Sequence, residues 1–288
     1  MNLELLEQTL ADRGEPAFRA RQVWEWTARG AAGYEEMTNL PKALRERLAK
    51  EVPFSTLSVE DEARSADGTV KALFRTADGH PVEAVLMRYR DGRRSVCVSS
   101  QSGCPLTCSF CATGAMRFGR NLRASEILDQ VLHFRRHEDV NHLVFMGMGE
   151  PFLNYDEVLA AARRLPGIGI THRRTTISTV GWMPGLTRFV DEVEEPIRLA
   201  LSLHAPTDEL RSQLMPVNDR YPLADVLDPK VFKVNLIPYN PTGMYDGSSR
   251  EAIAAFKAVL DRARLPATVR LTRGRDIAAA CGQLAATR

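Results

Sequence analysis

The sequence predicts an α/β fold: a small helical module, then an antiparallel hairpin unit, then a parallel sheet that is open or barrel-like. Three observations predict it. The first fifty or so residues carry helical patterns, three Asp-Gly pairs punctuate the next forty or so, and from about residue 93 strand-like and helix-like segments alternate. Neighbouring parallel strands need a crossover between them, and helices supply it.

Residues 1–52 read as helices. "NLELLEQTLA" and "FRARQVWEWTARG" have mixed apolar and charged faces, and the second ends at Gly30. "NLPKALRERLAKEV" offers Asn39 as a cap and Pro41 near the first turn, with Leu40, Leu44 and Leu48 on one face. Residues 53–92 read as a hairpin extension, because Asp67-Gly68, Asp78-Gly79 and Asp91-Gly92 separate runs such as "TVKALFRT" and "PVEAVLMRYR". Residues 93–288 hold the alternating part. Its strand candidates are "SVCVSS", "VNHLVFM", "RTTIST", "IRLALSL" and "VFKVNLIPY", with helical stretches such as "ASEILDQVLHFRRH" and "YDEVLAAARRL" between them.

Composition narrows the class. The chain has 288 residues, 44% of them hydrophobic and 26% charged, enough to bury a sizeable core. No stretch is apolar for long enough to span a bilayer, and "MNLELLEQTL" is acidic where a signal peptide is basic. A soluble, cytoplasmic protein with no membrane partner is expected. The net charge of +2 permits a nucleic-acid partner without pointing to one.

In barrels of parallel strands, chemistry gathers at the carboxyl ends of the strands. Here the first candidate strand leads into a cysteine loop, and the second runs into "GMGEP" with Gly147, Gly149 and Glu150. The third reaches Ser178, the fourth Ser202 and His204, and the last Asn240. Singly, such residues are turn formers or caps. Together they describe one mouth facing three thiols.

Those thiols are Cys104, Cys108 and Cys111, in "SQSGCPLTCSFCATG" between Gly103 and Gly114. A run of buried small residues is one reading, and zinc is another, although a structural zinc site takes four ligands and would have to recruit Cys97, His204 or Cys281. An iron–sulfur cluster accounts for the count better. Three thiolates on a [4Fe–4S] cube leave one iron open, and an amino acid's amine and carboxylate would chelate it.

"CPLTCSFC" resembles the CxxxCxxC motif of radical S-adenosylmethionine (SAM) enzymes, including the aromatic residue before the third cysteine. "MGMGEP", "STVG", "LSLHAP", "KVNLIPYNP" and "TRGRDIAAACGQL" resemble a narrower group within them, the RlmN-type dual-specificity RNA methyltransferases, from about residue 15 to the end. That family methylates adenine C2 in 23S rRNA and tRNA, while the sister Cfr family methylates C8, and "GEP" and "TRG" look more like the C2 group. The resemblance implies a partial (βα) barrel of radical SAM type behind an RNA-binding helical domain. It also implies a [4Fe–4S] cluster on Cys104, Cys108 and Cys111, and two SAM molecules per turnover. Gly149, Glu150, Ser178, Ser202, Leu203, His204 and Asn240 match the cofactor-binding positions.

The same resemblance assigns roles to three further residues. Adenine C2 is electron-poor and a weak nucleophile, whereas a thiolate takes a methyl group readily. Cys281 matches the methyl-accepting cysteine, which a radical derived from a second SAM would activate for addition to the base. Cys97 matches the resolving cysteine, whose attack on Cys281 sulfur would leave a disulfide for cellular reductants to reopen. Glu83 matches the general base. A monomer fed by flavodoxin or ferredoxin is implied.

Arg117, Arg120 and Arg123, Arg173 and Arg174, and Arg270, Arg273 and Arg275 are candidates to neutralise phosphates. One departure stands out. After "LMPVNDRYPLADVL" only "DPKVF" precedes "KVNLIPYNP", so about one strand–helix unit of roughly 30 residues is missing and a barrel of six becomes one of five. A catalytically impaired RNA-binding relative, a C8-methylating enzyme and a zinc-stabilised RNA-binding protein are the competing functions.

Overall fold

Strands from both sides of residue 93 join one sheet. The computed structural model describes residues 1–222, 234–262, 266–270 and 272–286. β1 (Leu57–Arg64), β2 (Val70–Thr76), β3 (Pro81–Arg88) and β4 (Arg94–Val98) form an antiparallel meander whose three turns hold the three Asp-Gly pairs. Two short strands, β5 (Gln101–Ser102) and β6 (Arg120–Asn121), pair with each other beside the cysteine loop. β7 (His142–Phe145), β8 (Thr175–Thr179) and β9 (Arg198–Leu201) then add in parallel to β4. The order is β1-β2-β3-β4-β7-β8-β9, a mixed sheet rather than a hairpin appended to a parallel one.

Nine α-helices lie among the described residues. α1 (Leu3–Asp12), α2 (Phe18–Ala28) and α3 (Lys42–Glu51) form the first module, and α4 (Ala112–Ala115) closes the cysteine loop. α5 (Ala124–Arg135), α6 (Tyr155–Arg164), α7 (Met183–Glu192) and α8 (Asp208–Leu214) follow, and α9 (Arg250–Arg262) comes after β10 (Val234–Leu236). In the first module Asn39 is not the cap of α3. Pro41 holds that position, and Asn39 Oδ1 instead accepts from Trp26 Nε1 at 2.6 Å. Leu40, Leu44 and Leu48 are buried as their spacing requires, with Leu6, Leu10, Val23 and Met37.

The main core lies between the sheet and α5 and α6. Ala84, Leu86, Val96 and Val98 meet Ile127, Leu128, Val131, Val158 and Ala161 there. A smaller apolar layer covers the opposite face: Val85 and Cys97 pack with Met148, Ala279 and Leu284. The last two come from the end of the chain, so a C-terminal segment lies across β3 and β4.

β10 departs from expectation. It pairs in parallel with β11 (Ala267–Val269) in a separate two-stranded sheet, not with β9. "DPKVF" and the first residues of "VFKVNLIPY" lie outside the described residues. Leu199 on β9 is exposed, and α9 buries no residue, leaving Phe256 and Val259 in solvent. Among the described residues no helix is long and apolar enough to cross a membrane.

Candidate active site

β4 delivers the cysteine loop. After Val98 the chain turns through β5 to Gly103, whose φ of +73 a side chain would strain and whose Cβ would stand 2.6 Å from Arg117 O. The loop carries half-buried Cys104, Cys108 and Cys111 and is held from three directions. Cys111 N donates to Cys108 O at 3.1 Å, and Ala112 N donates to Gly282 O at 2.8 Å. Thr113 Oγ1 donates to Leu284 O at 2.6 Å, and Thr242 Oγ1 to Phe110 O at 3.1 Å. The C-terminal segment is therefore stitched to the thiol loop.

Burial pushes the Cys104 and Cys108 thiols up to about 12, and the nearby Cys111 and Glu150 add to it. Among the described residues no three His, Cys, Asp or Glu side chains converge tightly enough to hold one metal ion. A cube places each thiolate on a different iron, so its donors surround a volume and do not meet at a point; zinc requires convergence. The donor set fits a cluster.

Beside the thiols, Glu150 is buried at 3% exposure. Its Oε1 accepts from Phe152 N at 3.1 Å and its Oε2 from Val180 N at 3.0 Å. Burial nevertheless pushes its carboxyl up to about 7, against the pull of Thr179 and those two amides. Such a group is suited to receive an ammonium, which would restore its charge. Without a ligand, the folded protein keeps a proton between pH ~4.5 and ~7 that the unfolded chain has lost. Stability should therefore fall as pH rises through that window and level off above it, by on the order of 3 kcal/mol in all. Urea unfolding of the metal-free protein at pH 5 and pH 7.5 checks this, and Glu150→Gln should remove that part of the slope. Gly147, next along, admits no side chain, since its Cβ would lie 2.7 Å from Ser99 Oγ and from Val98 O.

The other strand ends complete the wall. Ser178 Oγ, on β8, and Ser202 Oγ, just past β9, lie 3.2 Å apart. His204 takes a left-handed backbone, φ 61, and its ring tilts against Phe110 of the cysteine loop, centroids 4.4 Å apart. Behind this wall sits Arg211, fully buried on α8, a residue that the sequence reading missed. It donates to Leu203 O at 3.1 Å, Val180 O at 2.5 Å and Asn218 Oδ1 at 2.6 Å, tying the ends of β8 and β9 together. An arginine on a short polar helix gives no pattern to find it by. Trp182, just beyond β8, packs edge-on against Tyr221 with centroids 5.3 Å apart and lies beneath the Arg220 guanidinium.

Asn240 is buried, although its strand lies off the main sheet. Its Nδ2 donates to Cys281 O at 3.1 Å, while its Oδ1 has no hydrogen-bond partner. A buried acceptor left unpaired beside a mouth suits a ligand donor such as the exocyclic amine of a purine.

On the far face of the C-terminal segment stand the remaining candidates. Cys97 is buried, and its thiol is pushed up to about 12, first by burial and then by the nearby Cys281 sulfur. Cys281 is exposed, and no disulfide joins any of the five cysteines. Arg270 acts electrostatically on both thiols, favouring the thiolate at each. Glu83, on β3, is fully buried. Its Oε2 accepts from Ala285 N at 3.0 Å and Ala286 N at 3.1 Å, and its Oε1 stands 2.9 Å from Lys71 Nζ.

The arginines divide. Arg120, contrary to expectation, is not free for phosphate: it is bound to both Asp78 and Glu126 through paired contacts of 2.6 to 2.8 Å. Arg117, Arg123, Arg173 and Arg174 are exposed. Arg273 stacks over Tyr89, 4.7 Å from the ring centroid.

Comparison with known proteins gives a consistent set of relatives. Residues 98–228 match the family model of the radical SAM superfamily, and residues 1–53 that of the ribosomal RNA large subunit methyltransferase N-terminal domain. An Anaeromyxobacter dehalogenans protein named "Dual-specificity RNA methyltransferase RlmN" is 41% identical over 337 aligned positions, covering 98% of this chain and 90% of its own. A Thermus thermophilus protein named "Probable dual-specificity RNA methyltransferase RlmN" is 41% identical over 332 positions, covering 98% of this chain and 92% of its own. The crystal structure of a radical SAM methyltransferase from Sphaerobacter thermophilus superposes with a TM-score of 0.90 at 40% identity, over 100% of this chain and 98% of that one.

Proposed function

Since the chain belongs to the RlmN family of radical SAM enzymes and is a SAM-dependent RNA methyltransferase, we propose that it methylates adenine C2 in 23S rRNA and tRNA, with Cys281 as methyl carrier, Cys97 as resolving thiol and Glu83 as general base. One observation carries this reading. Cys97 is buried beneath the C-terminal segment that carries Cys281, and that segment is bonded on one side to the thiol loop and on the other to Glu83.

Cys104, Cys108 and Cys111 would hold the [4Fe–4S] cluster. Glu150, with Gly149, Ser178, Ser202, Leu203, His204 and Asn240 around it, would hold SAM, two molecules per turnover. The pair supplies the methyl group and the one-electron chemistry that activates it, with reducing equivalents from a donor such as flavodoxin or ferredoxin.

The chain's own residues do the rest. Cys281, exposed on a segment of tight turns with Ala278 and Gly282 at positive φ, presents a nucleophile that can move between a methyl donor and a base. Glu83 takes the proton that adenine C2 gives up. Cys97 then forms a sulfur–sulfur bond to Cys281 as the carbon–sulfur bond to the base breaks. The bonding pair goes to the released carbon, which takes up the proton that Cys97 gives up and becomes the methyl group, and thiol reductants reopen the disulfide. The target base must leave its stack to enter.

The barrel is proposed to be one strand–helix unit short. The Thermus thermophilus alignment spans 332 positions against a chain of 288 residues, so relative residues stand opposite gaps here. The exposed apolar residues of β9 and α9 are where a neighbour would sit. Expression in a host lacking this methylation, followed by mapping of 23S rRNA and tRNA, tests the function. C2-methyladenine is the expected product. C8-methyladenine would replace the C2 reading, and unmodified RNA would favour the impaired relative.

A further inference from the structure

Glu83 is a carboxylate in an apolar layer, and its two oxygens are used differently. Oε2 accepts both amides of the carrier segment, Ala285 and Ala286. Oε1 is buried and takes no backbone amide; Lys71 Nζ stands 2.9 Å from it in an ion pair. The Lys71 side chain is 11% exposed and that of Glu83 is 0% exposed, so little water intervenes.

Strand register explains how the lysine comes to be there. Lys71 on β2 pairs with Val85 on β3, and Val85 pairs with Cys97 on β4, one cross-strand row on the face that the carrier segment covers. Glu83 is in register with Leu73, which puts Lys71 on its diagonal, a distance that a long side chain spans. A buried carboxylate without a counter-charge would take a proton and cease to be a base.

We propose that Lys71 is a positioning residue for the methylation reaction: its ion pair fixes Glu83 Oε1 as the proton-accepting atom, while Oε2 anchors the carrier segment. This rests on the reading of Glu83 as general base. In the step it serves the C2–H bond breaks: its proton bonds to Glu83 Oε1, its electron pair stays in the adenine ring, and Lys71 keeps its own protons.

The test uses the full chain with its cluster and an RNA substrate, reading three quantities by mass spectrometry: methyl on Cys281, RNA joined to protein, and C2-methyladenine released. Lys71→Met should keep the methyl on Cys281, accumulate joined RNA and cut released product by about tenfold or more, the scale of a general base impaired. Lys71→Gln, which keeps a donor for the fold but no charge, should behave likewise, and Lys71→Arg should restore most of the product. Glu83→Gln should stall in the same way. Two results would overturn the role of Lys71 alone: either neutral variant releasing product at the wild-type rate while Glu83→Gln stalls, or both losing the Cys281 methyl and the joined RNA along with the product, the mark of a lysine needed only for folding. Normal product from Glu83→Gln would remove the base, and Lys71's part with it.

Discussion

Cys281→Ala is expected to end RNA methylation, while Cys97→Ala is expected to halt the reaction with RNA still bonded to the protein. The two thiols differ in kind. Cys281 is exposed on a turn-rich segment, and Cys97 is buried in a strand with its thiol pushed up to about 12. On the proposed roles neither can replace the other: a carrier must be reachable, and a resolving sulfur must wait until the carrier is loaded. Loss of the carrier should lower turnover by at least roughly a thousandfold, the scale seen when a residue that bonds covalently to the reacting group is removed. Loss of Cys97 should leave Cys281 methylatable and the adduct stranded, visible as RNA that stays with the protein through denaturing electrophoresis. Free methylated RNA from Cys97→Ala would show that another group resolves the adduct.

Cys111→Ala should remove iron and activity together while sparing the fold. The three cysteines contribute nothing to the main core, which is built from the sheet, α5 and α6. Cys111 sits at the start of four-residue α4, where its thiol makes no cap bond. Iron content and the brown absorbance of anaerobically prepared protein should fall to background, with far-ultraviolet circular dichroism unchanged and the midpoint of thermal unfolding within a few degrees of the cluster-free parent. Because burial pushes the Cys104 and Cys108 thiols up to about 12, cluster assembly must expel their protons, and it should slow as pH is lowered from 8 to 6. A Cys111→Ala protein that kept its iron and its spectrum would point to a different ligand set.

Local signals were legible where chemistry repeats along the chain. The Asp-Gly pairs gave the turns of the meander, and the apolar runs gave β2, β3, β4, β7, β8 and β9. β1 was missed because "LSVEDEAR" is largely exposed and shows no alternation. Asn39 looked like a cap until a distant indole claimed it. Arg120 looked free for phosphate because its partners, Asp78 and Glu126, belong to other elements. Tertiary placement hid the rest of the site. Nothing in sequence spacing brings Ala285 to Glu83 or Lys71 to its diagonal, and Arg211 shows its purpose only once the ends of β8 and β9 stand side by side.

The setting of Trp182 has an optical consequence. The chain has three tryptophans, and the other two, Trp24 and Trp26, belong to the first helical module. Trp182 alone follows the β8 turn whose amide holds Glu150, between Tyr221 and a guanidinium. With Trp24 and Trp26 changed to phenylalanine, the remaining indole becomes a built-in emitter beside the cofactor mouth. Its fluorescence then registers filling and emptying of that mouth in real time, without a label attached to protein or RNA.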